Sequence, residues 1–221
     1  MTSQAAIDPP PAFQFEDAQQ QSNAATLGIW TFLASEVLFF GSLVLSLLIC
    51  RMRWPEAFAE GARDLKWWLG GINTAVLLAS SYAMALAVEA TEARDAKRVI
   101  RNLLITAGLG LVFIAIKGTE YGIEFHEHLI PAVNYSAIAP DGTTRPPQLQ
   151  LFMMFYFLLT LLHAMHMLIG ISGIGIISFK ARRAGYVEHS RNMIDGLALY
   201  WHFVDIAWVF LFPMLYLLRH P

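Results

Sequence analysis

The chain has 221 residues, of which 56% are hydrophobic and only 14% are charged. Soluble domains average about 25% charged residues, so this is the composition of a membrane protein with no separate soluble core. The formal net charge of −2, with basic residues scattered along the chain, argues against a nucleic-acid partner.

The first 26 residues differ from everything that follows. They contain no Lys or Arg, unlike a signal peptide or a transit peptide, and they combine Pro9 to Pro11 with Gln-rich sequence. Such a composition predicts a mobile N-terminal tail at 1–26.

Five apolar blocks follow the tail, and each carries only a few polar residues. They lie at 27–50, 67–88, 99–117, 149–179 and 194–218. Because backbone in hydrocarbon must satisfy its own hydrogen bonds, each block predicts a membrane-spanning helix. The predicted fold is therefore all-α: a polytopic membrane helix bundle with five transmembrane helices in one domain, 27–218.

The orientation of the bundle is predicted from basic residues in the connecting segments. If the N-terminus is inside, the inner segments carry eight Lys or Arg and the outer segments seven. The inner ones are denser in two short loops, and short loops count most. We therefore predict a cytoplasmic N-terminus and a C-terminus on the outer side.

Glu36 lies near the middle of the first span, away from a stripe of small residues at 28, 31, 35, 42 and 46. An acidic side chain inside a spanning helix is costly, so it needs a structural partner or a function. Two interpretations stay open at this point. One is a structural hydrogen bond to an adjacent helix, and the other is a functional carboxyl that is protonated in that setting.

Polar residues on the second, fourth and fifth spans predict contacts between helices. Asn73 on the second span is expected to hydrogen-bond to a neighbouring helix. His163 and His166 share one face of the fourth span, and His202 and Asp205 lie one turn apart on the fifth. They could be heme or metal ligands, but so sparse a polar set favours packing. No catalytic residue and no metal ligand is assigned.

The connection after the third span begins with an acidic stretch that contains Glu120, Glu124 and Glu127. A di-iron bundle needs Glu-x-x-His on each of two helices, and this stretch does not have that spacing. It predicts instead a solvated acidic helix end at the membrane interface.

Several of these residues belong to motifs that occur in the order of one family. Taken together, they resemble subunit III of heme–copper respiratory oxidases, including cytochrome c oxidase, over roughly residues 25–218. The motifs are Ser35-Glu36-Val37-Leu38-Phe39-Phe40, Asn73-Thr74, Glu120-Tyr121, His163-Ala-Met-His166 and Trp201-His202-Phe203-Val204-Asp205-Ile206-x-Trp208.

The resemblance implies a non-catalytic subunit of a bacterial inner-membrane oxidase that serves aerobic respiration. Its heme and copper belong to partner subunits, and it packs mainly against oxidase subunit I. It stabilises that subunit through turnover, supports proton uptake and binds membrane phospholipid. By the same resemblance, Glu36 matches the family's carbodiimide-reactive glutamate, and His163, His166, His202, Asp205 and Asn73 match its internal polar network.

The sequence departs from the long form of the family, which has seven helices, because the first two are absent. Those two helices form one wall of the lipid cleft, so lipid binding requires another wall here. The short form leaves the electron donor open between cytochrome c and quinol. It also leaves open a related protein associated with nitric oxide reductase, and a stand-alone b-type cytochrome or metal enzyme remains a further alternative.

Overall fold

The computed structural model describes residues 14–138, 142–181 and 191–220, and these are almost entirely helical. Five of the described helices are long and apolar enough to cross a membrane. The prediction of an all-α, multi-pass membrane bundle is thereby confirmed. The helices are α1 Ala18–Arg53, α2 Pro55–Asp64, α3 Trp67–Glu92, α4 Ala96–His126, α5 Pro147–Lys180 and α6 Arg191–Phe212, which continues into a π-helical turn at Pro213–Leu217.

Helix starts follow from local chemistry at the first turn. Asp17 caps α1 by accepting the N–H of Gln20 at 2.6 Å, and Asp95 caps α4 by accepting the N–H of Arg98 at 3.1 Å. A side-chain oxygen satisfies one of the free N–H groups that every helix start carries. α2 and α5 begin instead with a proline, whose missing N–H is not needed there.

Successive spanning helices run in opposite directions, which gives the bundle two distinct ends. At the N-terminal end, where α1, α4 and α6 begin, Arg191 pairs with Glu92 at 2.8 Å. At the C-terminal end, where these helices finish, Arg51 donates to the carbonyl of Leu218 at 2.9 Å. The connection at 54–66 and the described parts of the next one, 127–138 and 142–146, lie at this C-terminal end.

Two boundaries differ from the predicted spans. α1 begins at Ala18 and not at 27, so the chain is already helical within the predicted tail; residues 1–13 of that tail lie outside the described part. α4 continues past 117 to His126. Lys117 therefore lies inside a helix and not at its end.

The short helix α2 was not predicted. Its buried face includes Phe58, whose ring lies 5.5 Å from that of Phe152 on α5, while charged residues occupy its other side. Its ten residues are of mixed polarity and form no continuous apolar run, so the sequence gives no signal of a helix there.

The core is centred on the aromatic side chains of α6. Trp201 and Trp208 are both fully buried. Gly110 on α4 and Gly170 on α5 face the Trp201 indole so closely that an added Cβ would touch it. These glycines let three helices approach one large ring system.

Candidate functional site

Glu36 on α1 faces His166 on α5, and a 3.2 Å separation joins Glu36 Oε2 to His166 Nε2. Both side chains are largely buried, with 17% and 14% of their surface exposed. The Phe40 ring packs edge-on against the His166 imidazole at 5.3 Å. The structure thus places a polar neighbour from another helix beside Glu36, at ion-pair distance and without a hydrogen bond to Glu36 Oε2 among the described residues.

The other ring nitrogen of His166 has a partner on its own helix. His166 Nδ1 lies 2.8 Å from the carbonyl of Leu162, which can only accept a hydrogen bond. Nδ1 therefore carries a proton, and Nε2 faces Glu36. The contact between Nε2 and Glu36 Oε2 has the distance of an ion pair, but Glu36 Oε2 has no hydrogen-bond partner among the described residues.

Polar contacts between α3 and α6 account for part of the predicted internal network. The Trp208 indole N–H donates to Thr74 Oγ1 at 3.2 Å, and His202 Nδ1 lies 2.7 Å from Ser81 Oγ. Asp205 is buried beside the same Ser81. The His202–Ser81 contact thus joins α6 to α3, whereas neither carboxyl oxygen of Asp205 has a hydrogen-bond partner among the described residues.

Two other members of the predicted network are not joined to it. Asn73 is fully buried, but both atoms of its amide lack a hydrogen-bond partner among the described residues, so its expected interhelical bond is not present there. Both His163 nitrogens are likewise unpaired within the described part, and the ring packs 5.3 Å from Phe113 and 5.0 Å from Trp208. His163 is an aromatic packing element.

The three histidines considered as heme or metal ligands have separate surroundings. His166 faces Glu36, His202 faces Ser81, and His163 lies among aromatic rings. Within 14–138, 142–181 and 191–220, no three His, Cys, Asp or Glu side chains are grouped as metal ligands would be.

The structure also contains a polar cluster that the sequence did not reveal, centred on Lys117. Its ammonium is 2% exposed and donates to Glu120 Oε2 at 2.8 Å, to the Tyr156 hydroxyl at 2.8 Å and to the Tyr216 hydroxyl at 2.6 Å. Four aromatic rings surround it with centroids 4.6–5.4 Å away: Tyr121, Tyr156, Trp208 and Tyr216. Hydrogen bonds, an ion pair and cation–π contacts together keep this charge inside the bundle.

The Lys117 cluster corrects the prediction of a solvated acidic helix end. Glu120 and Glu124 are 0% and 3% exposed, because α4 continues to His126 and is covered by α5 and by the π-helical turn. Only Glu127 fits the interfacial prediction: it is partly exposed and pairs with Lys66 at 2.9 Å. The missed signal was Lys117, which precedes Glu120 by one helical turn.

An open apolar groove runs between α1 and α6 and has a volume of about 630 Å³. Aromatic and aliphatic side chains line it, and His202 is its one titratable member. Its size and lining suit a hydrocarbon chain. The lining residues are Trp30, Leu33, Ala34, Val37, Leu38, Leu199, His202, Phe203 and Ile206.

Comparisons with known proteins agree with the order of the motifs. The sequence model of the family described as cytochrome c oxidase subunit III matches residues 149–219, which contain His163, His166 and the Trp201–Trp208 motif. A cytochrome c oxidase subunit 3 of Thermostichus vulcanus is 28% identical over 94% of this chain and 94% of its own length. These similarities point to the same family as the motifs, subunit III of the heme–copper oxidases.

Further relatives are similar at the same level. The cytochrome c oxidase subunit 3 of Synechocystis is 29% identical over 86% of this chain and 74% of its own length. A probable quinol oxidase subunit 3 of Staphylococcus aureus is 28% identical over 87% of this chain and 88% of its own length. Because relatives named for both donors match equally well, similarity does not separate cytochrome c from quinol.

Proposed function

We propose that this chain is a non-catalytic subunit of a bacterial heme–copper terminal oxidase, where it packs on the catalytic subunit and stabilises it during aerobic electron transport. Its family relationship over nearly the whole chain carries this proposal. In this assignment heme and copper are held by partner subunits. The chain contributes helix surfaces, a proton-carrying pair and a lipid-facing groove.

The exposed face of α1 supports the packing role. Gly28 and Gly41 have no other described part of the chain within 4 Å of the place where a Cβ would lie. Ser35, Ser42 and Ser46 satisfy their hydroxyls on carbonyls of their own helix. Small side chains without unmet hydrogen bonds let a helix from another subunit approach closely, and we assign this face to oxidase subunit I.

The Glu36–His166 pair supports a part in proton uptake. A carboxyl and an imidazole that lie 3.2 Å apart and are both largely buried can pass a proton between them inside the membrane. A change of charge nearby in a partner subunit would move that proton between Glu36 and His166. Glu36 is thus the carboxyl that we link to proton transfer.

The groove between α1 and α6 is the proposed phospholipid contact. The two further helices of the long family form are absent from this sequence, so a neighbouring subunit or the bilayer supplies the second wall. We place the chain in the bacterial inner membrane with a cytoplasmic N-terminus. The N-terminal end of the bundle, with the short loop between α3 and α4, then faces the cytoplasm.

Co-purification tests the assignment directly. The full chain, tagged at its C-terminus and extracted from native membranes in mild detergent, should bring down a large heme-bearing subunit with oxygen-reducing activity. Deletion of the chain should shorten the working lifetime of that oxidase more than it lowers its initial rate.

The alternatives give different results in the same experiment. Nitric oxide reduction by the purified complex would favour the nitric oxide reductase association. A heme spectrum from the chain alone would identify a stand-alone cytochrome. A colourless chain without partners would contradict the proposed function.

A further inference from the structure

The hydrogen-bonding capacity of Lys117 is fully used. An ammonium has three N–H donors, and those of Lys117 go to Glu120, Tyr156 and Tyr216. The Tyr216 hydroxyl also donates to the Tyr156 hydroxyl at 3.4 Å. The one buried cation of the cluster is therefore committed to a single carboxylate, Glu120.

A second carboxyl, Glu124, lies beside this closed arrangement without a cation of its own. It is 3% exposed, and neither of its side-chain oxygens has a hydrogen-bond partner among the described residues. The titratable groups that face it are Lys117, Glu120, Tyr121 and Glu127 from α4, Tyr156 from α5 and Tyr216 from the π-helical turn. Of these, Lys117 is paired with Glu120, and Glu127 is paired with Lys66.

An unpaired carboxylate at such a position would be strongly unfavourable. Burial of an isolated charge costs far more than burial of the neutral acid, and a second carboxylate one turn away adds repulsion. We propose that Glu124 is a proton-binding site: it holds a proton at neutral pH and exchanges it with water at the C-terminal end of the bundle. This site is separate from the Glu36–His166 pair and does not depend on the proposed function.

Glu124 lies close to the surface at the end of α4. Its backbone carbonyl accepts the N–H of Leu129 at 3.0 Å as the helix ends. Glu127, partly exposed at the surface, is three residues further along, which corresponds to about 4.5 Å of helix rise. The proposed exchange between the Glu124 acid and water takes place across this short distance.

Infrared difference spectroscopy on the full chain tests this site. The chain is purified together with the proteins that bind it. Its glutamate carboxyls are labelled with ¹³C, so that the infrared band of Asp205 does not overlap with the glutamate bands. Wild type is compared with Glu124→Gln and with Glu127→Gln as the matched control one turn away. At neutral pH, Glu124→Gln should lose one carbonyl band of a protonated acid, whereas Glu127→Gln should lose carboxylate bands.

The opposite pattern overturns the proposal: loss of carboxylate bands in Glu124→Gln at neutral pH would show that Glu124 is ionised. If Glu124→Gln does not accumulate, Glu124→Asp takes its place. This variant keeps an acid at position 124, and because an aspartate carboxyl carries no ¹³C label, its band lies outside the ¹³C-shifted region. Loss of a protonated-acid band in that variant supports the proposal, and loss of a carboxylate band contradicts it. A protonated band that persists unchanged into strongly alkaline buffer would refute exchange with water.

Discussion

Replacement of Lys117 by Met is the sharpest test of the buried cluster. The change removes an ammonium that donates three hydrogen bonds of 2.6–2.8 Å and leaves Glu120 without its cation at 0% exposure. Removal of one partner from a buried ion pair costs about 3–5 kcal/mol, because the remaining charge stays uncompensated. The equilibrium constant of unfolding should therefore increase by about two to three and a half orders of magnitude.

The measurement is reversible unfolding of the purified chain in mixed micelles of rising denaturing-detergent content. Lys180→Met is the matched control, because Lys180 is exposed at the end of α5, and it should change stability by less than about 0.5 kcal/mol.

A double-mutant cycle with Glu120→Gln separates the ion pair from the other contacts of Lys117. The double variant should recover about 1–3 kcal/mol relative to the sum of the single variants, because it no longer buries an unpaired carboxylate. Strict additivity would show that Lys117 and Glu120 are not energetically coupled and would refute the argument for a buried pair.

Three further predictions concern other parts of the chain. Gly110→Ala should destabilise the bundle by about 1–3 kcal/mol, because the added Cβ would contact Trp201. Gly108→Ala is the control and should not, because its added Cβ meets open space. Equal effects of the two variants in the same unfolding assay would contradict this prediction. Burial raises the pKa of Asp64 above 3.8, so the contribution of Asp64 to stability falls as the pH rises from 3.8 through the raised pKa. Asp64→Asn should remove this decrease from a plot of stability against pH. Parallel plots for wild type and variant would contradict the prediction. Glu36→Gln should leave assembly intact and abolish carbodiimide labelling of this chain by mass spectrometry, and unchanged labelling would point to another carboxyl.

Much of the fold could be predicted because spans in a bilayer are strongly constrained by composition. Each of the five long helices in the described part of the chain overlaps one of the predicted apolar blocks. The surroundings of the end of α4 could not be predicted, since the acidic stretch was expected to be solvated although Glu120 and Glu124 are buried. A charged residue ends a span only if it faces lipid or water, and facing is decided by packing.

The candidate site was predictable in part for the same reason. Glu36 and His166 could be singled out as polar residues in apolar helices, but their pairing across α1 and α5 could not, because spacing along the chain says nothing about which helices adjoin. His202 was expected to contribute to an internal contact, and its partner Ser81 emerged only from the α3–α6 packing.

The sequence by itself determined the class of the protein: a multi-pass helix bundle whose motifs resemble the subunit III family, with Glu36 as an acidic residue inside its first span. Apolar length and ordered motifs are properties of the chain alone, so no neighbour is needed to interpret them. Only the tertiary structure decided that Glu120 and Glu124 are buried and not solvated. The cost of a charge depends on what surrounds it, and Lys117 and its aromatic rings come from three separate elements that only folding brings together.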